Sequence, residues 1–162
     1  MLTGKKIVLG VSGGIAAYKM ANVASMLSKL HADIHVVMTE NATHFITPET
    51  FEVLTGNHCY TDTFDRCMEL HVPHIALGTQ ADAILIAPAS ADVVGKIANG
   101  IADDMLTTCV LPATCPVMLA PSMNVHMYEN PIVQDNLKTL AHYHWQIIDP
   151  ACGYLACGDT GA

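Results

Sequence analysis

Four short segments of this 162-residue chain place glycine or small polar residues where apolar runs end. The first, Gly10-Val11-Ser12-Gly13-Gly14, closes an apolar run and opens a stretch with helical periodicity. A strand that turns through glycine into a helix leaves backbone N–H groups at the positive end of a helix dipole, which suits an anion such as a phosphate. Glycine lets the chain turn sharply and lets a ligand approach the backbone. The spacing is not G-x-G-x-x-G, and no lysine follows as in a Walker loop, so the turn alone fits either a phosphate site or a plain tight turn. The other three ends are Thr39-Glu40-Asn41, Pro88-Ala89-Ser90-Ala91-Asp92 and Pro121-Ser122-Met123-Asn124. Each alone could cap a helix. At the carboxyl ends of strands in one sheet, they would form a polar ring around a single ligand.

Three further residues are chemically notable. His74 follows Pro73 at the start of an apolar-spaced stretch, the place of a solvent-facing helix-start residue. Imidazole is also the side chain suited to proton transfer near neutral pH. Asn124 stands in a turn where an amide commonly bonds its own backbone. Cys157 lies in a glycine-flanked loop, an unusual setting because free thiols prefer cores. Met123 and Met127 read as core or interface packing, and His71 as a structural neighbour of His74.

The elements that would position these groups are legible from periodicity. Continuous apolar runs at 6–11, 34–38, 82–87, 116–120 and 145–148 read as buried strands, the third and fourth stopped by Pro88 and Pro121. Helical spacing occupies 15–30, 89–98, 103–111 and 132–143, and Thr47-Pro48-Glu49 reads as a helix entry. Such alternation predicts a single α/β domain over 1–162, a Rossmann-like or flavodoxin-like three-layer fold with a central parallel sheet. From about residue 150 the periodicity stops and a loop is expected.

Composition narrows the function classes. A net charge of −8 and the lack of any basic run argue against nucleic-acid binding. No apolar stretch reaches the roughly 20 residues of a membrane helix, and residues 1–6 have no signal-peptide layout, so a cytoplasmic setting is expected. With 51% apolar and only 14% charged residues, much of the surface is expected to be covered by other copies of the chain. The six cysteines form no C-x-x-C pair, and reduced core thiols are the default. The nine histidines lack zinc-site spacing, so no metal is expected.

Several segments together resemble the homo-oligomeric flavin-containing cysteine decarboxylases. They are Val11-Ser12-Gly13-Gly14-Ile15-Ala16-Ala17-Tyr18-Lys19, Met38-Thr39-Glu40-Asn41-Ala42-Thr43-His44-Phe45, His74-Ile75-Ala76-Leu77, Ala81-Asp82 and Ala87-Pro88-Ala89-Ser90-Ala91-Asp92. The series continues with Gly95-Lys96-Ile97-Ala98-Asn99-Gly100-Ile101-Ala102-Asp103, Pro121-Ser122-Met123-Asn124-Val125-His126-Met127 and Ala156-Cys157-Gly158-Asp159. They run in the family's order from end to end. The isolated histidine, the P-x-M-N-x-x-M segment and the A-C-G-D tail make the likeness specific.

The resemblance implies FMN as cofactor and loss of CO2 from a cysteine unit. In its coenzyme A branch the substrate is 4'-phosphopantothenoylcysteine and the product 4'-phosphopantetheine. The flavin oxidises the cysteinyl side chain toward a thioaldehyde, the carboxylate departs, and the enethiol is reduced again. On this likeness His74 is the base, and Asn124 binds the substrate carboxylate with Met127 lining the pocket. Cys157 is the acid on a loop of about 150–162 that covers the substrate. Ser12, Gly13, Gly14 and Ile15 would hold the flavin phosphate, with Thr39, Ser90, Phe45, Ala91, Asp92 and Ser122 also in contact with flavin. Two positions depart from the family pattern, Asp92 replacing its usual Asn and Ser122 its usual Ala. Trimers or dodecamers, and a fused or separate phosphopantothenate–cysteine ligase, are the implied partners. Cys157 favours the coenzyme A branch over peptide cysteine decarboxylases, which release the enethiol. Flavin prenyltransferases and non-catalytic flavin-binding regulatory subunits are the other readings.

Overall fold

A computed structural model describes residues 1–64 and 73–150, together with the backbone pairing of Gly153–Tyr154 and Thr160–Gly161. Five parallel strands form the sheet: β1 (Lys6–Val11), β2 (Asp33–Met38), β3 (Ala83–Ala89), β4 (Val117–Pro121) and β5 (Gln146–Ile147). Their order is β2-β1-β3-β4-β5, the flavodoxin-like arrangement of doubly wound folds. β1 pairs with β2 on one side and β3 on the other, so the winding direction reverses between β1 and β3. A crevice opens at such a reversal, beyond the carboxyl ends of the strands.

Apolar strand runs are explained by burial on both faces. Successive residues of a strand point to opposite sides, and in β1 Val8 joins one core while Leu9 and Val11 join the other. On the Leu9 side, α1 (Met20–Lys29) and α2 (Pro48–Thr55) bring Ala24 and Phe51 against Ile34 and Val36. On the Val8 side lie α3 (Pro73–Gln80), α4 (Ala91–Ala98), α5 (Met105–Val110) and α7 (Pro131–His142), with the one-turn α6 (Val125–Tyr128) before α7. Leu77, Val93, Leu106 and Leu137 pack there on Ile84, Ile86 and Leu119. Burying each such side chain contributes about 1.5–3 kcal/mol.

Several boundaries differ from the sequence expectation for identifiable reasons. β3 runs through Pro88 to Ala89, and β4 includes Pro121. Proline removes a donor yet keeps its carbonyl, and Pro88 O accepts from Ser12 N at 3.2 Å. The ladder shifts register between Ile86 and Ala89, which absorbs the missing amide. The single helix expected over 15–30 is a 3-10 turn, Ile15–Lys19, followed by α1. The segment expected as a loop after residue 150 contains a two-residue antiparallel pair, β6 (Gly153–Tyr154) with β7 (Thr160–Gly161). Among the described residues no helix is long and apolar enough to cross a membrane.

Candidate active site

The site is built at the reversal between β1 and β3, and Ser12 fixes its width. The Ser12 hydroxyl donates to Pro88 O at 2.6 Å and accepts from Ser90 N at 2.8 Å, fully buried. Its proton and one of its lone pairs are used within the wall, so Ser12 holds the ends of β1 and β3 together.

Gly13 follows at the surface. A Cβ there would stand 2.5 Å from the Asn41 Cβ and 3.0 Å from the Asn41 carbonyl carbon. Only a residue without a side chain lets the turn after β1 close on the turn after β2. A Cβ on Gly14, by contrast, would meet nothing within 4 Å. The first intrahelical bond of the following turn is Ala17 N to Gly14 O at 2.9 Å, so the amides before Ala17 precede the helix's own bonding.

Two hydroxyls cap the neighbouring turns. Thr39 N donates to Val11 O at 3.0 Å, and Thr39 Oγ1 accepts from Ala42 N at 3.3 Å. Ser90 Oγ accepts from Val93 N at 3.3 Å at the start of α4. In both cases the hydroxyl acts as acceptor, which leaves its proton available to donate.

These groups share a cleft of about 380 Å³ lined by Gly13, Thr39, Glu40, Asn41, Ser90, Ala91, Asp92, Val93, Lys96, Asp103, Asp104 and Met127. Gly13, Thr39, Ser90, Ala91, Asp92 and Met127 are therefore brought together as the sequence predicts. Ser122 and Asn124 lie at the neighbouring strand end. Ser122 N donates to Ala89 O at 3.0 Å, and Asn124 Oδ1 caps α6 by accepting from His126 N at 2.9 Å. That bond fixes the rotation of the Asn124 amide, with Met127 three residues on. Ile15 and Phe45 are exposed on the surface and do not line the cleft.

His74 stands apart from that cleft, in the first turn of α3. Its helix is held close to α5, because a Cβ on Gly78 would overlap the carbonyl oxygen of Cys109. His74 Nδ1 is buried and makes no hydrogen bond among the described residues. A buried polar atom without a partner is costly and calls for an explanation, of which a catalytic role is one; His35 Nδ1 is in the same state. Cys157, with the proposed covering loop around it, lies outside the described residues.

Lys96, Asp103 and Asp104 are cleft residues to which the sequence reading assigned no role, while Glu40 and Asn41 entered it only as part of the polar strand end after β2. Lys96 Nζ lies 3.2 Å from both Asp92 Oδ2 and Asp103 Oδ1. Burial pulls its ammonium down, but the hydrogen bonds to Asp103 and Asp92 outweigh this and hold it above its ordinary range. Asp104 closes a capping box with Thr107, accepting from Thr107 N at 2.7 Å while Asp104 N donates to Thr107 Oγ1 at 3.2 Å. The i,i+4 spacing of Asp92 and Lys96 was the available signal.

The described thiols are unsuited to chemistry at neutral pH. Burial pushes both Cys59 and Cys109 up to about 12. Cys115 is also raised by burial, and these three are free. Among the described residues no group of three His, Cys, Asp or Glu side chains could hold a metal ion.

The family model described as Flavoprotein matches residues 1–162, and the chain belongs to that family. It is 48% identical over 161 residues to the coenzyme A biosynthesis bifunctional protein CoaBC of Bacillus subtilis (strain 168). That match covers 99% of this chain and 40% of the relative, so the chain spans well under half of the bifunctional protein. It is 44% identical over 160 residues to a probable phosphopantothenoylcysteine decarboxylase of Streptococcus mutans, covering 98% of this chain and 89% of that one. Among solved structures, the FMN-dependent cysteine decarboxylase SpaF superposes with a TM-score of 0.88 at 35% identity, over 100% of this chain and 92% of SpaF.

Proposed function

We propose that this chain is an FMN-dependent decarboxylase that converts 4'-phosphopantothenoylcysteine to 4'-phosphopantetheine. The observation that carries the reading is the convergence of Gly13, Thr39 and Ser90 on one cleft at the β1/β3 reversal, with Met127 on its rim. These residues fit a flavin phosphate: Gly13 offers bare backbone, Thr39 and Ser90 offer hydroxyl donors, and the amides before Ala17 precede the helix's own bonding. When bound, FMN supplies a reversible two-electron sink, which lets the substrate be oxidised before CO2 leaves and reduced afterwards.

The protein's own groups bind, orient and move protons. Asn124 donates from its amide to the substrate carboxylate and loses that contact when neutral CO2 forms, favouring release. His74 accepts the proton removed as the cysteinyl unit is oxidised. Cys157 returns a proton to the decarboxylated carbon skeleton at the end. His74 does not line the cleft of its own chain, which supports assembly as trimers or dodecamers in which a second copy completes the site. A phosphopantothenate–cysteine ligase, fused or separate, belongs to the same proposal, as does a cytoplasmic setting; the bifunctional name of the Bacillus relative supports the former.

Purified protein mixed with phosphopantothenoylcysteine should release CO2 and yield phosphopantetheine by mass. A parallel reaction with a peptide ending in cysteine should be far slower. Flavin-bound protein that releases no CO2 from phosphopantothenoylcysteine would overturn the assignment.

A further inference from the structure

We propose that Lys96 determines cofactor specificity in this cleft, neutralising Asp92 and Asp103 so that an otherwise acidic wall accepts a phosphorylated flavin. The inference rests on the reading of the cleft as an FMN site.

The cleft has an electrostatic problem. Its lining carries four carboxylates, Glu40, Asp92, Asp103 and Asp104, while the expected ligand ends in a phosphate. Asp104 is engaged by the Thr107 amide and hydroxyl, which disperses part of its charge. Asp92 and Asp103 have only Lys96, and Lys96 is the sole Lys or Arg lining the cleft among the described residues. Its ammonium stands equidistant from the two carboxylates, 3.2 Å from an oxygen of each.

Isolated exposed ion pairs contribute little. Here the Lys96 side chain is 25% exposed and its partners Asp92 and Asp103 are 60% and 55% exposed, so its effect is on the net charge of the wall more than through either pair. Removing the ammonium would leave two adjacent carboxylates on the wall that Gly13, Thr39 and Ser90 share. Like charges placed together discriminate strongly against a ligand. The penalty falls on a phosphate and not on a neutral ribityl hydroxyl.

The test uses the full chain freed of flavin and titrated with FMN or riboflavin, following flavin fluorescence at low and high salt. Lys96→Gln should weaken FMN binding roughly tenfold at low salt, less at high salt, and leave riboflavin binding unchanged. Adding Asp92→Asn to Lys96→Gln should recover most of the lost FMN affinity, and Lys96→Arg should retain it. Unchanged FMN affinity in Lys96→Gln, or equal loss for both ligands, would overturn the proposal. If Lys96→Gln does not fold, Asp92→Asn alone decides: it should tighten FMN without tightening riboflavin, and any other pattern overturns the proposal. A parent chain that binds no FMN at all refutes the FMN reading itself, an outcome distinct from the others.

Discussion

The Ser12 hydroxyl donates to the Pro88 carbonyl across 2.6 Å, joining two residues 76 positions apart in a site closed to solvent. The same oxygen accepts from Ser90 N, so one side chain sets the gap between the turn after β1 and the turn after β3. The cleft lies in front of that gap, and the position of Ser90 depends on it.

Ser12→Ala should therefore act through stability first. It leaves Ser90 N without its acceptor and removes the hydroxyl donor to Pro88 O, which keeps only the 3.2 Å bond from Ser12 N. Leaving a buried backbone group unsatisfied costs about 1–3 kcal/mol. Chemical denaturation should show a loss in that range, accompanied by weaker flavin retention. A loss below about 0.5 kcal/mol would show that the clamp is not needed.

The two adjacent glycines should separate packing from ligand contact. Gly13→Ala drives a Cβ into Asn41, including its backbone, so the turn after β2 must shift. We expect a lower unfolding midpoint and loss of the flavin spectrum. Gly14 has extended backbone, φ −167°, and open space where a Cβ would go. Gly14→Ala should keep the parent midpoint, so any fall in flavin affinity would report crowding of the ligand alone. Equal midpoints for both variants would contradict the Gly13–Asn41 contact.

The sheet was legible because each strand is a continuous apolar run buried on both faces, as Val8 and Leu9 illustrate from opposite cores. The strand ends were legible too, since Gly13, Thr39 and Ser90 interrupt those runs with residues that turn or cap. What the residues alone could not disclose is pairing across distance. Ser12 reads from the sequence as a phosphate ligand, and only the fold shows that its hydroxyl also joins Pro88 O and Ser90 N. Lys96 sits in a recognisable motif, yet its second partner, Asp103, is reached only because the chain folds back through Gly100 at φ +69° before α5. His74 is placed correctly at a helix start, but no local pattern reports its separation from the cleft within one chain.

The buried thiols should make stability fall at alkaline pH. Cys59 and Cys109 are raised from 9.0 to about 12 by burial, with Glu52 and Glu49 adding to the first and Cys115 to the second. The folded chain thus keeps protons that the unfolded chain loses first. Their stabilising contribution is fully present below 9.0 and declines as pH rises toward about 12. The decline should approach about 1.4 kcal/mol per pH unit for each thiol. Urea denaturation across that window should give a shallower slope for Cys59→Ala/Cys109→Ala than for the parent. Identical slopes would mean that these thiols ionise alike in both states.

His74→Asn tests the base, which does not line the cleft of its own chain. The helix that carries it is held by Gly78 against the Cys109 carbonyl, a contact that the substitution leaves in place. The buried Nδ1 makes no hydrogen bond among the described residues, so removing the ring breaks no bond seen there and folding should persist. Flavin binding should persist too, because Gly13, Thr39 and Ser90 are untouched. Turnover of phosphopantothenoylcysteine should fall by roughly 10²–10⁴-fold, the usual contribution of a positioned base. A flavin-loaded variant with parent-like CO2 release would exclude His74 from the chemistry. Mixing His74→Asn with a flavin-binding-deficient Gly13→Ala chain adds a second readout. If copies complete each other's sites, some activity should return in mixed assemblies, whereas a site contained within one chain would stay silent.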